Sequence, residues 1–388
     1  MSAQSVDLGW FGPHMLQEVL PRWIEEAVTP SGIFHTTLDR GWRRTGDGSG
    51  TLVSQARVVH NFAAGWRLTG EERYRDAVRL GARALAERFR DREEGGFFWS
   101  CDAEGRPVDT RKDSYGHAFA LFGLAHALGV EREPAIADAA EEARSTLRDR
   151  LTDDHGGLVL LLDRRFGGAP ERRSQNPMMH AFEALLAAAE RGGLEGALVE
   201  AERVGRFVLS LPRGPAGALF EFYDRDWNPL PAAEGGRIDV GHQFEWAWLL
   251  SEGVRLGLPA AWLGEAQRLL DVGLRHGIDP DGGVRFALDP ELLPTSHGLG
   301  WWEQCEGIRA LLRFAGEHGR ADAAPRLARL TALARERFVD PEHGGWFMRV
   351  EPDGQVPDTS KGTHWKVDYH VVGMCVEGVR QAERASAA

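Results

Sequence analysis

Lysine is almost missing from this sequence. Lys112, Lys361 and Lys366 are the only three among 388 residues, and none follows a glycine, so a phosphate-cradling Gly-Lys loop is excluded. Lys366 could form a Schiff base, but nothing else signals a cofactor of that kind. Cysteine is equally scarce. Cys101, Cys305 and Cys375 lie far apart, form no CxxC pair and are odd in number, which argues against a disulfide framework and fits a reducing compartment. No HExxH motif occurs. No run of about 18 apolar residues is present to span a membrane. The first residues, MSAQSVDLGWFGPHM, lack the basic-then-apolar order of a signal peptide. The formal charge of −12 leaves little to attract nucleic acid or an anionic membrane. These absences describe a soluble, cytoplasmic protein whose partner is a small molecule, and which works as a monomer or homodimer.

What is present is a repeat. A glycine, a few alternating apolar residues and an acidic turn recur six times, around Gly32, Gly96, Gly157, Gly217, Gly283 and Gly345, at intervals of 60 to 66 residues. Alternation closed by Asp, Gly or Pro reads as a short hairpin. Two helical segments lie between successive copies. The first of each pair carries the aromatic residues; the second is rich in Glu and Arg, as in EERYRDAVRLGARALAERF, and suits a half-solvated outer helix. One further helix precedes the first hairpin and one follows the last, at about 14–27 and 366–383. The pattern predicts an all-α fold, an (α/α)6 barrel of twelve helices with six short β-hairpins at one end, formed by residues 1–388 as one catalytic domain. An open solenoid is the alternative; a pair split between the two ends of the chain favours closure.

Laid over one another, the inner helices bring Arg57, His117, His180, His242, Glu303 and His370 to corresponding positions, followed three residues later by His60, Glu183, Glu245 and Glu306. Residues at i and i+3 share a helix face. Isolated, each would be an ordinary buried polar residue; in register they define one cavity near the inner-helix N-termini. Four histidines suit proton transfer near neutral pH. Three His and a Glu could also hold a metal, and Glu245 with Glu306 could form the carboxylate pair of a glycoside hydrolase, although the histidines would then lack a role. His117, Glu183, Glu303 and His60 read as supports or hydroxyl ligands, and Trp302 as a surface on which a sugar could stack.

The segments ARVVH, NPMMHAFEAL, GHQFEWAWLL, WWEQCEG and WKVDYH together resemble the N-acylglucosamine 2-epimerase family along essentially the whole chain. The resemblance implies an (α/α)6 barrel, chemistry without metal or cofactor, and an enediol intermediate. It implies His242 and His370 as the acid/base pair, Arg57 as the group on the sugar oxygens, and His180 in ring opening or binding. It implies Glu245 and Glu306 as residues that orient those histidines or bind hydroxyls. Within the family, KVDYHVVGM departs from the disaccharide epimerases and points to a smaller sugar, whereas GWWEQCEG is epimerase-like. The expected activity is mannose–fructose type isomerisation, with aldose 2-epimerisation as the alternative.

Overall fold

In a computed structural model, residues 6–168 and 170–387 are described, and the inner helices form a closed ring. These are α2 (Leu52–Thr69), α4 (Ser114–Leu128), α6 (Gln175–Ala187), α8 (Val240–Arg255), α10 (Trp301–Gly316) and α12 (Tyr369–Ala387). Each packs on the next, and α12 returns to α2, which settles closure against an open solenoid. The outer helices α3 (Glu72–Ala84), α5 (Pro134–Asp149), α7 (Ala197–Ser210), α9 (Trp262–His276) and α11 (Ala323–Arg337) each back onto an inner partner. The expected helix at 14–27 begins earlier, with a turn at Phe11–Pro13 and a wide π turn over His14–Val19 before α1 (Leu20–Ala27). Its first turn lies against α12, so the two ends of the chain complete one pair. The protein is a mostly helical (α/α)6 barrel. No helix among the described residues is long and apolar enough to cross a membrane.

The ends of the inner helices follow from local chemistry. Thr51 and Ser54 form a capping box on α2, and the side chains of Asp113 and Ser174 accept from the first-turn amides of α4 and α6. Gly70, at φ 68°, closes α2 in the left-handed conformation that L side chains avoid.

The alternating segments differ from isolated hairpins. Single bridges such as Thr152 with Leu158 do close the turns at Gly96, Gly157, Gly217, Gly283 and Gly345. The longer pairing joins neighbouring repeats: the two residues leading into an inner helix pair with the alternating segment that follows it in the chain. Gly50–Thr51 pairs with Ser100–Cys101, Lys112–Asp113 with Leu161–Leu162, Arg173–Ser174 with Phe222–Tyr223, Ile238–Asp239 with Ala287–Leu288, and Leu299–Gly300 with Arg349–Val350. A bridge from Leu38 to Gly362 closes this second ring.

That pairing supplies a register independent of residue type. Counting from Thr51, Asp113, Ser174, Asp239 and Gly300, the fourth residue onward is Gln55, His117, Met178, Gln243 and Gln304. All five do the same work. Gln55 accepts from the amide of Phe34 (2.6 Å), His117 Nε2 from Phe97 (2.9 Å), Met178 Sδ from Leu158 (3.1 Å), Gln243 from Leu219 (3.0 Å) and Gln304 from Val284 (2.7 Å). Each latches a glycine turn onto an inner helix. These amides are buried, and an unmet buried donor costs about 1–3 kcal/mol.

Candidate active site

The same register places the chemistry. Six residues on from the strand stand Arg57, Phe119, His180, Glu245 and Glu306, and His370, after a longer lead from Gly362, joins them. His242 and Trp302 lie about one turn nearer the hairpins. Glu245 and Glu306, rather than His242 and Glu303, are therefore level with Arg57 and His180. The expected alignment is offset by three residues on α8 and α10.

His242 and His370 flank Trp302, with ring centroids 4.9 and 5.6 Å from the indole. A Cβ on Gly241 would overlap that indole, so this glycine makes room for it. His242 Nδ1 lies 2.7 Å from Glu221 Oε2, and Gln175 Nε2 lies 3.0 Å away. Glu221 also accepts from Ser174 and Gln175, each at 2.7 Å. Burial would lower the pKa of His242, but the charge of Glu221 and its hydrogen bond outweigh that and raise it. His370 Nδ1 lies 2.7 Å from Glu306 Oε1. Burial, then the charges of Arg57 and His180, hold the His370 pKa well below the ordinary imidazole value. Neither Nε2 has a protein partner among the described residues.

Arg57 is buried and has no carboxylate partner among the described residues. Its Nη1 donates to the carbonyl of Trp365 (3.0 Å) and its Nη2 to the Tyr115 hydroxyl (2.6 Å), while the guanidinium lies 4.3 Å from the Phe119 ring centroid and 5.0 Å from that of Tyr369. His180 Nδ1 lies 3.1 Å from Glu183 Oε2, which also accepts from the Tyr369 hydroxyl. Burial lowers the His180 pKa, and its partner Glu183 is held at about 2 because that hydrogen bond and the His180 charge overcome its own burial. Glu245 is wholly buried, and neither of its oxygens has a partner. Burial, then the neighbouring carboxylates of Glu306 and Glu183, raise its pKa well above the ordinary carboxylate value, which favours the neutral, donating form. Burial likewise pushes Glu306 up to about 7, against the lowering charge of Arg309.

Among the described residues, three groups have donor atoms within 4.8 Å of one another inside each group: His180, Glu183 and Glu245; Glu221, Asp239 and His242; Glu245, Glu306 and His370. Each set is a histidine with two carboxylates, and in each the histidine Nδ1 already faces a carboxylate. Their donors suit hydrogen-bonded acid/base pairs, and the same atoms could hold a metal.

Three expected site residues stand elsewhere. His117 spends both ring nitrogens on the backbone, Nδ1 on the Asp113 carbonyl (2.7 Å) and Nε2 on the Phe97 amide, so it is a latch with no nitrogen left for substrate. Glu303 is buried beside Gly300, with both oxygens unpartnered and outside the three groups. His60 lies one turn further in, edge-on to His126 and Tyr369. Glu245 does not orient His242; Glu221 does. That residue had a legible signal: among the positions three before the turn acid, namely Thr36, Trp99, Leu160, Glu221, Phe286 and Met348, it alone is charged. Tyr115 and Arg309 carried no such mark.

With this geometry established, the comparisons are decisive for the family. The model of the N-acylglucosamine 2-epimerase (GlcNAc 2-epimerase) family matches residues 32–374. The chain belongs to that family. It is 26% identical to a cellobiose 2-epimerase of Bacteroides fragilis over 92% of this chain and 95% of that one. It is 29% identical to a mannose-6-phosphate isomerase of Rhizobium meliloti over 88% and 91%. The crystal structure of a D-mannose isomerase superposes with a TM-score of 0.90 over 96% of this chain and 97% of that one, at 21% identity, which shows the shared fold. The protein is thus an enzyme of the carbohydrate epimerase and isomerase class, and the hydrolase alternative for Glu245 and Glu306 is left without support.

Proposed function

We propose that this member of the N-acylglucosamine 2-epimerase family is an aldose–ketose isomerase acting on a free, mannose-type sugar. The reading rests on the unlike surroundings of the two histidines on either side of Trp302: Glu221 favours the charged form of His242, while burial and the charges of Arg57 and His180 favour the neutral form of His370. With Glu306 ionised and accepting Nδ1–H, the His370 Nε2 lone pair is free to act as a base.

In the open-chain aldose, the C1 carbonyl acidifies the C2–H bond. His370 Nε2 takes that proton while His242 Nε2 protonates O1, giving the 1,2-enediol. Arg57, a buried cation, offsets the negative charge that develops on the oxygens. His242 then recovers a proton from the O2 hydroxyl as C2=O forms, and His370 delivers its proton to C1. The products are a ketose and an enzyme with both histidines as they began. Two-base epimerisation at C2 instead leaves the two histidines in exchanged states after each turnover. It therefore works best with two similar bases, and this pair is dissimilar. In this reading His180, held by Glu183, and Glu245 bind sugar hydroxyls.

A second reading, 2-epimerisation, draws on the similarity to the Bacteroides fragilis cellobiose 2-epimerase. Incubation with mannose in D2O separates the two. Isomerisation gives fructose, with deuterium at C1 to the extent that the proton on His370 exchanges with solvent before its return, whereas two-base epimerisation gives glucose labelled at C2. Formation of neither product from any free aldose would sink both.

A further inference from the structure

A cavity of about 340 Å³ in the barrel is distinct from the site described above. Nine residues on from the paired strands stand His60, Phe122, Glu183, Trp248 and Arg309, and this layer forms its floor. The cavity runs from that floor to the C-terminal ends of the inner helices, while His242, Trp302 and His370 lie on the other side. The ends of α-helices that meet here carry partial negative charge, which accounts for a concentration of arginines but does not dictate how they pair.

The pairing is uneven. Every carboxylate that lines the cavity is occupied. Glu252 binds Arg255, Arg313 and Arg380; Glu377 binds Arg313; Glu190 binds Arg255; Glu183 holds His180 and Tyr369. Arg67, in the last turn of α2, has no carboxylate partner among the described residues. Its side-chain partner is the Nδ1 of His126 at 3.2 Å, and the His126 ring lies 4.6 Å from that of His60. A guanidinium without a carboxylate partner among the described residues, beside two imidazoles on one wall of a half-open cavity, is a fork for planar or tetrahedral oxygen acceptors.

We infer that the far mouth of the barrel binds a small oxyanion, a carboxylate or a phosphate, on Arg67, His126 and His60. This site stands independently of which sugar the opposite mouth converts. Arg67, His126 and His60 make no contact with His242 among the described residues, while Glu183 and Arg309 line the cavity and also reach His180 and Glu306.

Calorimetric titration of the full-length protein with inorganic phosphate and with succinate, at constant ionic strength, tests the assignment. Saturable binding of at least one of them, at one site per chain, is expected, and the tighter of the two identifies the source of the oxyanion. Arg67→Gln should weaken that binding at least about ten-fold, the lower end of what a charge-assisted hydrogen bond contributes. Arg67→Lys, which keeps the charge and loses the fork, should weaken it less. Arg206→Gln, on the exposed face of α7, and Arg57→Gln, in the sugar site, should leave it unchanged. No saturable heat with either anion would overturn the inference. So would equal affinity in a natively folded Arg67→Gln, or loss of binding in Arg57→Gln in its place.

Discussion

Replacing Glu221 by Gln separates the two proton carriers. The carboxylate lies 2.7 Å from His242 Nδ1, and both groups are buried. Burial alone depresses an imidazole pKa, so the raised value rests on the negative charge of Glu221. A hydrogen bond to a charged group contributes about 1.5–3 kcal/mol, against about 0.5–1.5 for a neutral one. Exchanging one for the other therefore removes roughly 1–1.5 kcal/mol of preference for the imidazolium, close to one pKa unit at 1.36 kcal/mol per unit. Gln also keeps the shape, so Ser174 and Gln175 can retain their contacts.

If His242 acts as the charged acid, the basic limb of kcat/KM for ketose formation marks its deprotonation. That limb should move down by roughly one pH unit in Glu221→Gln, and on its far side the rate should fall about ten-fold. The acid limb belongs to the Glu306–His370 pair, whose carboxyl titrates at about 7, and should stay in place. Initial rates of fructose release from mannose, measured from about pH 6 to pH 9, give both limbs. A basic limb that does not move, or an acid limb that moves in its place, refutes the assignment of His242 as acid and His370 as base.

Three further outcomes are expected. His370→Asn should lower kcat by about 10²–10⁴-fold and abolish deuterium incorporation from D2O while sugar binding persists; near wild-type exchange would remove His370 from the carbon-proton step. His117→Ala should cost about 1–3 kcal/mol in denaturant unfolding, through the orphaned Phe97 amide, with KM unchanged. His117→Gln, the residue at the same position in three other repeats, should restore most of that stability, and a raised KM in this variant would return His117 to the substrate site. Dialysis against EDTA should leave turnover intact; a loss reversed by added divalent metal would assign one of the carboxylate–histidine groups to a metal instead.

The barrel was legible because its signal is redundant: six turns at a 60- to 66-residue period and twelve amphipathic segments point to one architecture. The site was legible only to within one helical turn. Aligning residues by type puts His242 beside His180, because both are histidines three residues ahead of a glutamate. The strand pairing instead puts Glu245 beside His180, and so separates His117, a latch equivalent to Gln55, from the catalytic level. A three-residue offset is nearly invisible in sequence, since i and i+3 lie on the same helix face, yet it moves a side chain by about 4.5 Å along the axis. The partner of His242 was hidden for a different reason. Glu221 sits just ahead of the Phe222–Tyr223 strand, 21 residues upstream of it, and the i to i+3 rule applied within one helix could only nominate Glu245. Contacts within a helix are set by spacing, while contacts between a helix and the loops that cover its end are set by register. The acid/base assignment depends on register, because the group that biases each histidine, Glu221 or Glu306, comes from a different element.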